Sequence, residues 1–247
     1  MEETLKDKQI KIPDLCKGEY VIQDDHPNIA VVGDLHLHSS TPQSRIDDYA
    51  DTCCKKLSIL RKEMLEYKCK YLICPGDIFH VYRERTDFEY NVIQEFLKFK
   101  YDGIRVFIIN GNHDISNDRI DTIDKSSLGI LYLTNVVEPF TDIKFGDKIE
   151  VTGVPFPTEI PPVKDVSKFN ICVCHKFYDM LSDKDTLKKE DVKDLGYNVY
   201  VMGHDHVVYD LERVYNSYIV RPGSFMRGTA HNYNTDRMVY TQNQSEA

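Results

Sequence analysis

The sequence predicts an α/β fold of two mixed β-sheets packed face to face and flanked by helices, and three observations carry that prediction. The first half alternates short apolar, β-branched runs with segments of helical periodicity. After about residue 130 the chain breaks into short strand-like runs separated by turns. No internal repeat, low-complexity tract or linker divides the halves, which places one domain at 28–241 between an N-terminal extension (1–27) and a polar tail (242–247).

The elements follow in order. Asn28 to Gly33 (NIAVVG) reads as a buried strand ending at Asp34. Ile46, Ala50, Cys53, Leu57, Leu60, Met64 and Tyr67 then recur at alternating steps of four and three, which predicts an amphipathic helix over 45–67. Lys70 to Pro75 (KYLICP) is a second strand. A helix capped at Thr86-Asp87 should reach Phe99, burying Phe88, Val92, Phe96 and Leu97. Ile104 to Asn110 gives a third strand, so parallel pairing with right-handed crossovers is expected. Beyond residue 130, LYLTNVVEPF, KIEVTGVPF, KFNICVCH, YNVYVMGH, VVYDLERV, SYIVRPGSF and RMVYT read as strands, with one helix near Lys184 to Asp194.

Composition bounds the function classes. With 41% hydrophobic and 29% charged residues, the chain reads as a soluble globular protein able to bury a substantial core. Its first residues, MEETLKDKQIKIPDLCK, lack the apolar stretch of a signal peptide, and no run has the length of a membrane span. No membrane partner is expected, and the expected location is cytoplasmic, in a bacterium or a phage-infected host cell. Seven cysteines, mostly inside apolar runs, suit a reducing compartment. Cys172 and Cys174 lie two apart on a strand, so they share one face and are expected in the core rather than on a metal. A net charge of −9 disfavours coating of nucleic acid by electrostatics alone. It leaves nucleic acid open as a substrate, because bound divalent cations reverse the local potential at a carboxylate-rich site.

Five clusters follow directly on expected strands: Asp34-Leu-His36-Leu-His38, Gly76-Asp77, Gly111-Asn112-His113-Asp114, Cys174-His175 and Gly203-His204-Asp205-His206. Ligand sites favour the carboxyl ends of strands in such sheets, where polar side chains from several turns converge. Imidazoles mixed with carboxylate and amide oxygens match Mn2+, Fe2+ or Zn2+, whereas a pure Mg2+ site would be mostly oxygen. Seven ligands drawn from these five loops are too many for one ion with an open catalytic position. They suit two ions sharing a carboxylate, and Asp77, alone in its loop, is the natural bridge. Asp114 is expected to orient His113 by accepting its second ring N–H. His38 either supports the site, touches substrate or is an exposed loop residue.

Taken in order, these clusters resemble the D-x-H, GD, GNHD, H and GHxH pattern of the calcineurin-like metallophosphoesterase family. The resemblance implies that family's β-sandwich and phosphoester hydrolysis with two divalent metal ions, Mn2+ foremost. It assigns one ion to Asp34, His36, Asp77 and His206 and the other to Asp77, Asn112, His175 and His204. It makes His113 the catalytic group that stabilises or protonates the leaving oxygen. Gly76-Asp-Ile-Phe-His80 is similar to the GDLFH segment of the family's nuclease branch, which includes bacterial SbcD and phage recombination nucleases. In that branch the extra histidine positions the DNA strand, a role the resemblance carries to His80. Arg221-Pro-Gly-Ser-Phe-Met-Arg227 is similar to the PGS segment of the same nucleases. Arg83, Arg85, Arg119, Arg221, Arg227 and Lys176 lie near the metal loops in sequence and could contact phosphates.

The expected function is a two-metal DNA exo- or endonuclease of recombination, repair or replication. DNA is then the substrate, and a homodimer or a coiled-coil ATPase subunit is the candidate partner. The chain departs from the SbcD pattern by ending soon after Thr241 in QNQSEA, without capping and docking segments, which puts ATPase docking in question. Two alternatives stand beside it: a small-molecule phosphodiesterase or phosphatase, acting for example on cyclic nucleotides, and a non-catalytic scaffold like the retromer subunit of this fold. Retention of every ligand and of the GNHD histidine weighs against the scaffold.

Overall fold

A computed structural model describes residues 17–180, 185–226 and 239–241. Its strands are β1 (Glu19–Ile22), β2 (Ile29–Val31), β3 (Tyr71–Cys74), β4 (Arg105–Ile108), β5 (Glu138–Pro139), β6 (Asp142–Phe145), β7 (Ile149–Val154), β8 (Phe169–His175), β9 (Phe177–Tyr178), β10 (Thr186–Leu187), β11 (Val199–Gly203), β12 (Glu212–Val214), β13 (Ser217–Val220) and β14 (Val239–Thr241). The helices are α1 (Tyr49–Glu66), α2 (Thr86–Tyr101), α3 (Ser127–Leu133) and α4 (Lys189–Leu195), with a 3-10 helix at Ile120–Lys125.

The fold is the expected one. A five-stranded sheet has the order β14-β2-β3-β4-β5, and a seven-stranded sheet the order β1-β6-β7-β8-β11-β13-β12. In the first, β2 to β5 are parallel and β14 is antiparallel to β2. In the second, β7, β8, β11 and β13 are parallel, while β6 and β12 pair antiparallel. Strand β1 lies within the stretch assigned to the N-terminal extension and joins the larger sheet beside β6.

Alternation along each strand divides the core. Ile29, Val31, Tyr71, Ile73 and Phe107 from the first sheet meet Phe145, Val151, Val173 and Val201 from the second in one buried cluster. The alternate residues Ala30, Leu72, Cys74, Val106 and Ile108 face Leu57, Leu60, Met64, Val92 and Phe96 of α1 and α2. Both faces of these strands are covered, which is why they read as continuous apolar runs. On the outer face of the larger sheet, Cys172 and Cys174 are fully buried with Tyr200, Met202 and Val192 of α4. They are free thiols in the core, as their spacing predicts.

Several elements differ from expectation, each for a local reason. Helix α1 starts at Tyr49, where Asp48 accepts the Asp51 N–H at 3.1 Å, and Ile46 is fully exposed ahead of it. Helix α2 is not capped by Thr86 or Asp87, because Arg85 holds the cap position without a side-chain bond and ties up Asp87 in an ion pair. Phe99, not Leu97, completes its buried stripe. Part of the expected strand LYLTNVVEPF folds instead into α3, started by the Ser126 hydroxyl accepting the Gly129 N–H at 2.9 Å. At seven residues the helix is too short for a helical period to show in the sequence. Arg227 and the tail 242–247 lie outside the described residues.

Candidate metal centre

The five clusters sit at or just past the carboxyl ends of β2, β3, β4, β8 and β11, so residues from both sheets meet at one end of the sandwich. Bringing them there strains the backbone. His36, Asp77 and His204 adopt left-handed conformations, with φ of 44°, 50° and 82°. Such angles are uncommon for non-glycine residues and are typical of sites where geometry matters more than local stability. Gly76 has φ of 111°, and a Cβ on Gly111 would come within 2.1 Å of Asp77 Oδ1. The glycines in GD and GNHD thus give the two loops room to touch.

Three groups of metal-capable atoms result among the described residues: one is His36, His80 and His113, and the other two surround Asp77. Asp34, His36, Asp77 and His206 offer ligand atoms within 4.8 Å of one another, and so do Asp77, His175 and His204. Asp77 belongs to both. Its Oδ2 lies 3.7 Å from His36 Nε2 and 3.3 Å from His175 Nε2. Asn112 Oδ1 approaches His175 Nε2 at 2.9 Å, which adds an amide oxygen to the His175 group. His36 Nε2 and His206 Nε2 face each other at 2.8 Å.

The residues fit divalent cations on the chemistry of these atoms. Asp34 and Asp77 are buried, and Asp34 Oδ1 and Asp77 Oδ2 have no hydrogen-bond partner among the described residues. Burial of unpaired carboxylate oxygens is costly unless a positive charge meets them. His175 donates its Nδ1–H to the Pro75 carbonyl at 2.8 Å, which turns Nε2 toward Asp77 and Asn112 as a ligand atom.

Electrostatics agree. Burial pushes Asp34 well above the usual carboxylate range, and the neighbouring Asp77 charge adds to it against His175. Burial also opposes ionisation of Asp77, but His175 and His36 outweigh it and hold that carboxyl low. Burial and the His206 and His113 rings lower His36 to about 3, against the pull of Asp77. Burial works against charging His175, yet Asp77 and Asp34 raise it to about 10. The two carboxylates draw positive charge into the site, and a proton on His175 or a bound cation satisfies the same demand.

His113 stands beside both Asp77 groups. Its backbone N–H donates to Asp77 Oδ1 at 2.9 Å, and its ring Nδ1–H donates to the His80 carbonyl at 2.6 Å. His80 stacks on it, with ring centroids 5.5 Å apart and planes at 24°. Burial and the His113 and His38 rings lower the pKa of His80.

Asp114 requires a correction, since it does not orient His113. Its carboxylate is buried and accepts N–H groups from Ile78 at 3.1 Å and Gly111 at 2.9 Å, clamping the GD loop to the GNHD loop. The orienting acceptor for His113 is the His80 backbone, which carries no side-chain signal in sequence. Burial, then Asp77, raises Asp114 to about 7.

His38 is in none of the metal-capable groups among the described residues, and it is not free. It bonds through Nδ1 to Glu84 Oε1 at 2.5 Å, a partner the sequence did not reveal. The Pro-Gly-Ser segment serves the site through its backbone: Phe225 N donates to Asp34 O at 2.8 Å and Ser224 N to His206 O at 3.1 Å. Phe177, also missed, lies with its ring centroid 4.0 Å from that of His204. The basic residues near the loops are engaged elsewhere. Arg85, Arg119 and Arg221 pair with Asp87, Asp121 and Glu212, Arg83 approaches Glu89, and Lys176 approaches Glu159.

A sandwich with clustered histidines and carboxylates at its strand ends defines a metal-dependent hydrolase domain. The calcineurin-like phosphoesterase family model matches residues 27–208, and the chain belongs to that family. No curated protein matches it. Among the described residues no helix is long and apolar enough to cross a membrane.

Proposed function

We propose that this protein is a two-metal phosphodiester hydrolase acting on DNA. The observation that carries the metal count is Asp77, whose Oδ2 faces both ligand groups. Asp34, His36, Asp77 and His206 would hold one ion, and Asp77, Asn112, His175 and His204 the other. Two such ions supply Lewis-acid activation of the phosphate and of the attacking water.

The remaining work falls to the protein. The Asp77 and Asp34 carboxylates are fixed by backbone N–H groups of His113 and His204 at 2.9 Å each, so the ligand atoms are preorganised. His113, with Nδ1–H committed to the His80 carbonyl, keeps Nε2 for the leaving oxygen; protonated there, it donates that proton as the ester bond breaks.

DNA is favoured by the Gly76–His80 string together with the place of His80 at the rim of the site. Its ring is exposed and stacks on His113, within reach of a strand that lies across the ions. The test incubates the protein with Mn2+ and, in parallel, linear duplex, single-stranded circular DNA, cyclic nucleotides and bis(p-nitrophenyl) phosphate. DNA cleavage that chelator abolishes, and that Mn2+ restores better than Mg2+, supports the proposal. Fast cleavage of cyclic nucleotides with untouched DNA would replace it with a small-molecule phosphodiesterase.

A further inference from the structure

We propose that the cavity bordering the first ligand group is a nucleoside subsite, and that His38, locked in place by Glu84, is its polar contact. The inference rests on the phosphodiesterase reading above, since it names what flanks the scissile phosphate.

The cavity encloses about 230 Å³, and His36, His38, Tyr49, His80, His206 and Met226 help to line it. Two of these, His36 and His206, belong to the metal-capable group of Asp34 and Asp77, so the cavity adjoins the position the phosphate would take. Its volume is below the roughly 300–1,000 Å³ of sites for drug-sized ligands. One sugar with its base is the right scale, and a duplex or a folded partner is not. The exposed His80 imidazole offers a flat surface on which a base stacks, while Tyr49 and Met226, both buried, form part of the wall.

His38 supplies direction. The Glu84 side chain is only 1% exposed. One of its oxygens accepts the His38 Nδ1–H at 2.5 Å and the other the Ser39 N–H at 3.0 Å. Glu84 is anchored in turn, because its own N–H donates to the Ser127 hydroxyl at 2.7 Å, which donates to buried Glu89 at 2.6 Å. A carboxylate held this way fixes the imidazole in one orientation and leaves Nε2 as the ring nitrogen that can meet a ligand in the cavity. His38 is in none of the metal-capable groups found among the described residues, so a sugar hydroxyl or a base edge is the partner its chemistry suits.

The test compares, with Mn2+ present, hydrolysis of thymidine 5′-(p-nitrophenyl) phosphate and of bis(p-nitrophenyl) phosphate. The leaving group is the same, and only the second substituent differs. The parent should favour the nucleoside ester by at least about tenfold in kcat/KM, the least that a filled pocket gives. Thymidine itself should inhibit competitively. In His38→Ala and Glu84→Ala the ratio between the two esters should fall about three- to tenfold, mainly through KM, as expected for one lost hydrogen bond. His38→Gln, which returns a polar group toward the cavity, should recover part of it. A parent with no preference for the nucleoside ester overturns the subsite even if it cuts DNA. A parent that prefers the ester and leaves DNA uncut upholds the subsite and removes the nuclease reading. Equal loss on both esters in the variants would reduce Glu84 and His38 to structural roles and overturn the contact.

Discussion

At His113 the backbone and the side chain make separate contacts, since the N–H holds Asp77 and the ring Nδ1 bonds the His80 carbonyl, which leaves Nε2 for the proposed acid role. Removing only the ring should therefore separate chemistry from metal binding. For His113→Ala, metal occupancy should survive while turnover of DNA falls about 10²–10⁴-fold, the usual contribution of a positioned acid or base. The loss should shrink on bis(p-nitrophenyl) phosphate, whose leaving oxygen needs little protonation; an equal loss on both substrates would contradict the acid role. His175 gives a second prediction at this scale. Its pKa is raised from 6.5 to about 10 by the carboxylates it faces, against burial. In chelator-stripped protein its contribution to stability is complete below pH 6.5 and is lost as pH rises toward 10. A cation at Nε2 must displace that proton, so Mn2+ affinity should rise with pH over the same window and binding should release protons. Calorimetry in buffers of different ionisation enthalpy measures the release, and binding with no proton release would contradict the assignment.

Among the elements, α1 is the one the sequence states most clearly. Its Leu57 is fully buried between the first sheet and α2, so Leu57→Ala should cost about 2–5 kcal/mol in denaturant unfolding. A change below about 1 kcal/mol would mean that the stripe is not core. Helices with one wet face were legible because burial on one side leaves a period, as at Cys53, Leu57, Leu60 and Met64. Helix α3 was not legible, because its seven residues are too few to display a period. The site divides in the same way. Asp34, His36, Asp77, Asn112, His175, His204 and His206 could be named because the clusters after the strands resemble the family's ordered motifs. The Asp114 clamp, the His80 carbonyl and the Glu84 support could not, because they depend on contacts between loops distant in sequence.

On the scale of the whole molecule, the site lies across the end of the sandwich. Asp34 and Asp77 come from loops of the five-stranded sheet, His175 and His204 from the seven-stranded one, and Asp77 Oδ2 reaches His175 Nε2 at 3.3 Å. Cations bound there would tie the two sheets together, and a ligand that binds only the folded state stabilises it by about 2.7 kcal/mol at a hundred times its Kd. Chelation should therefore lower the melting temperature as well as abolish activity, and a melting temperature indifferent to Mn2+ would count against cations bridging the sheets.

The central claim is that two ions share Asp77, and metal stoichiometry of the parent beside Asp77→Asn tests it most directly. Mn2+ titration followed by elemental analysis should find two ions per chain in the parent. In the variant both should bind more weakly together, because the same oxygen faces both ligand groups. One ion per chain in the parent, or two ions at unchanged affinity in Asp77→Asn, would contradict the account.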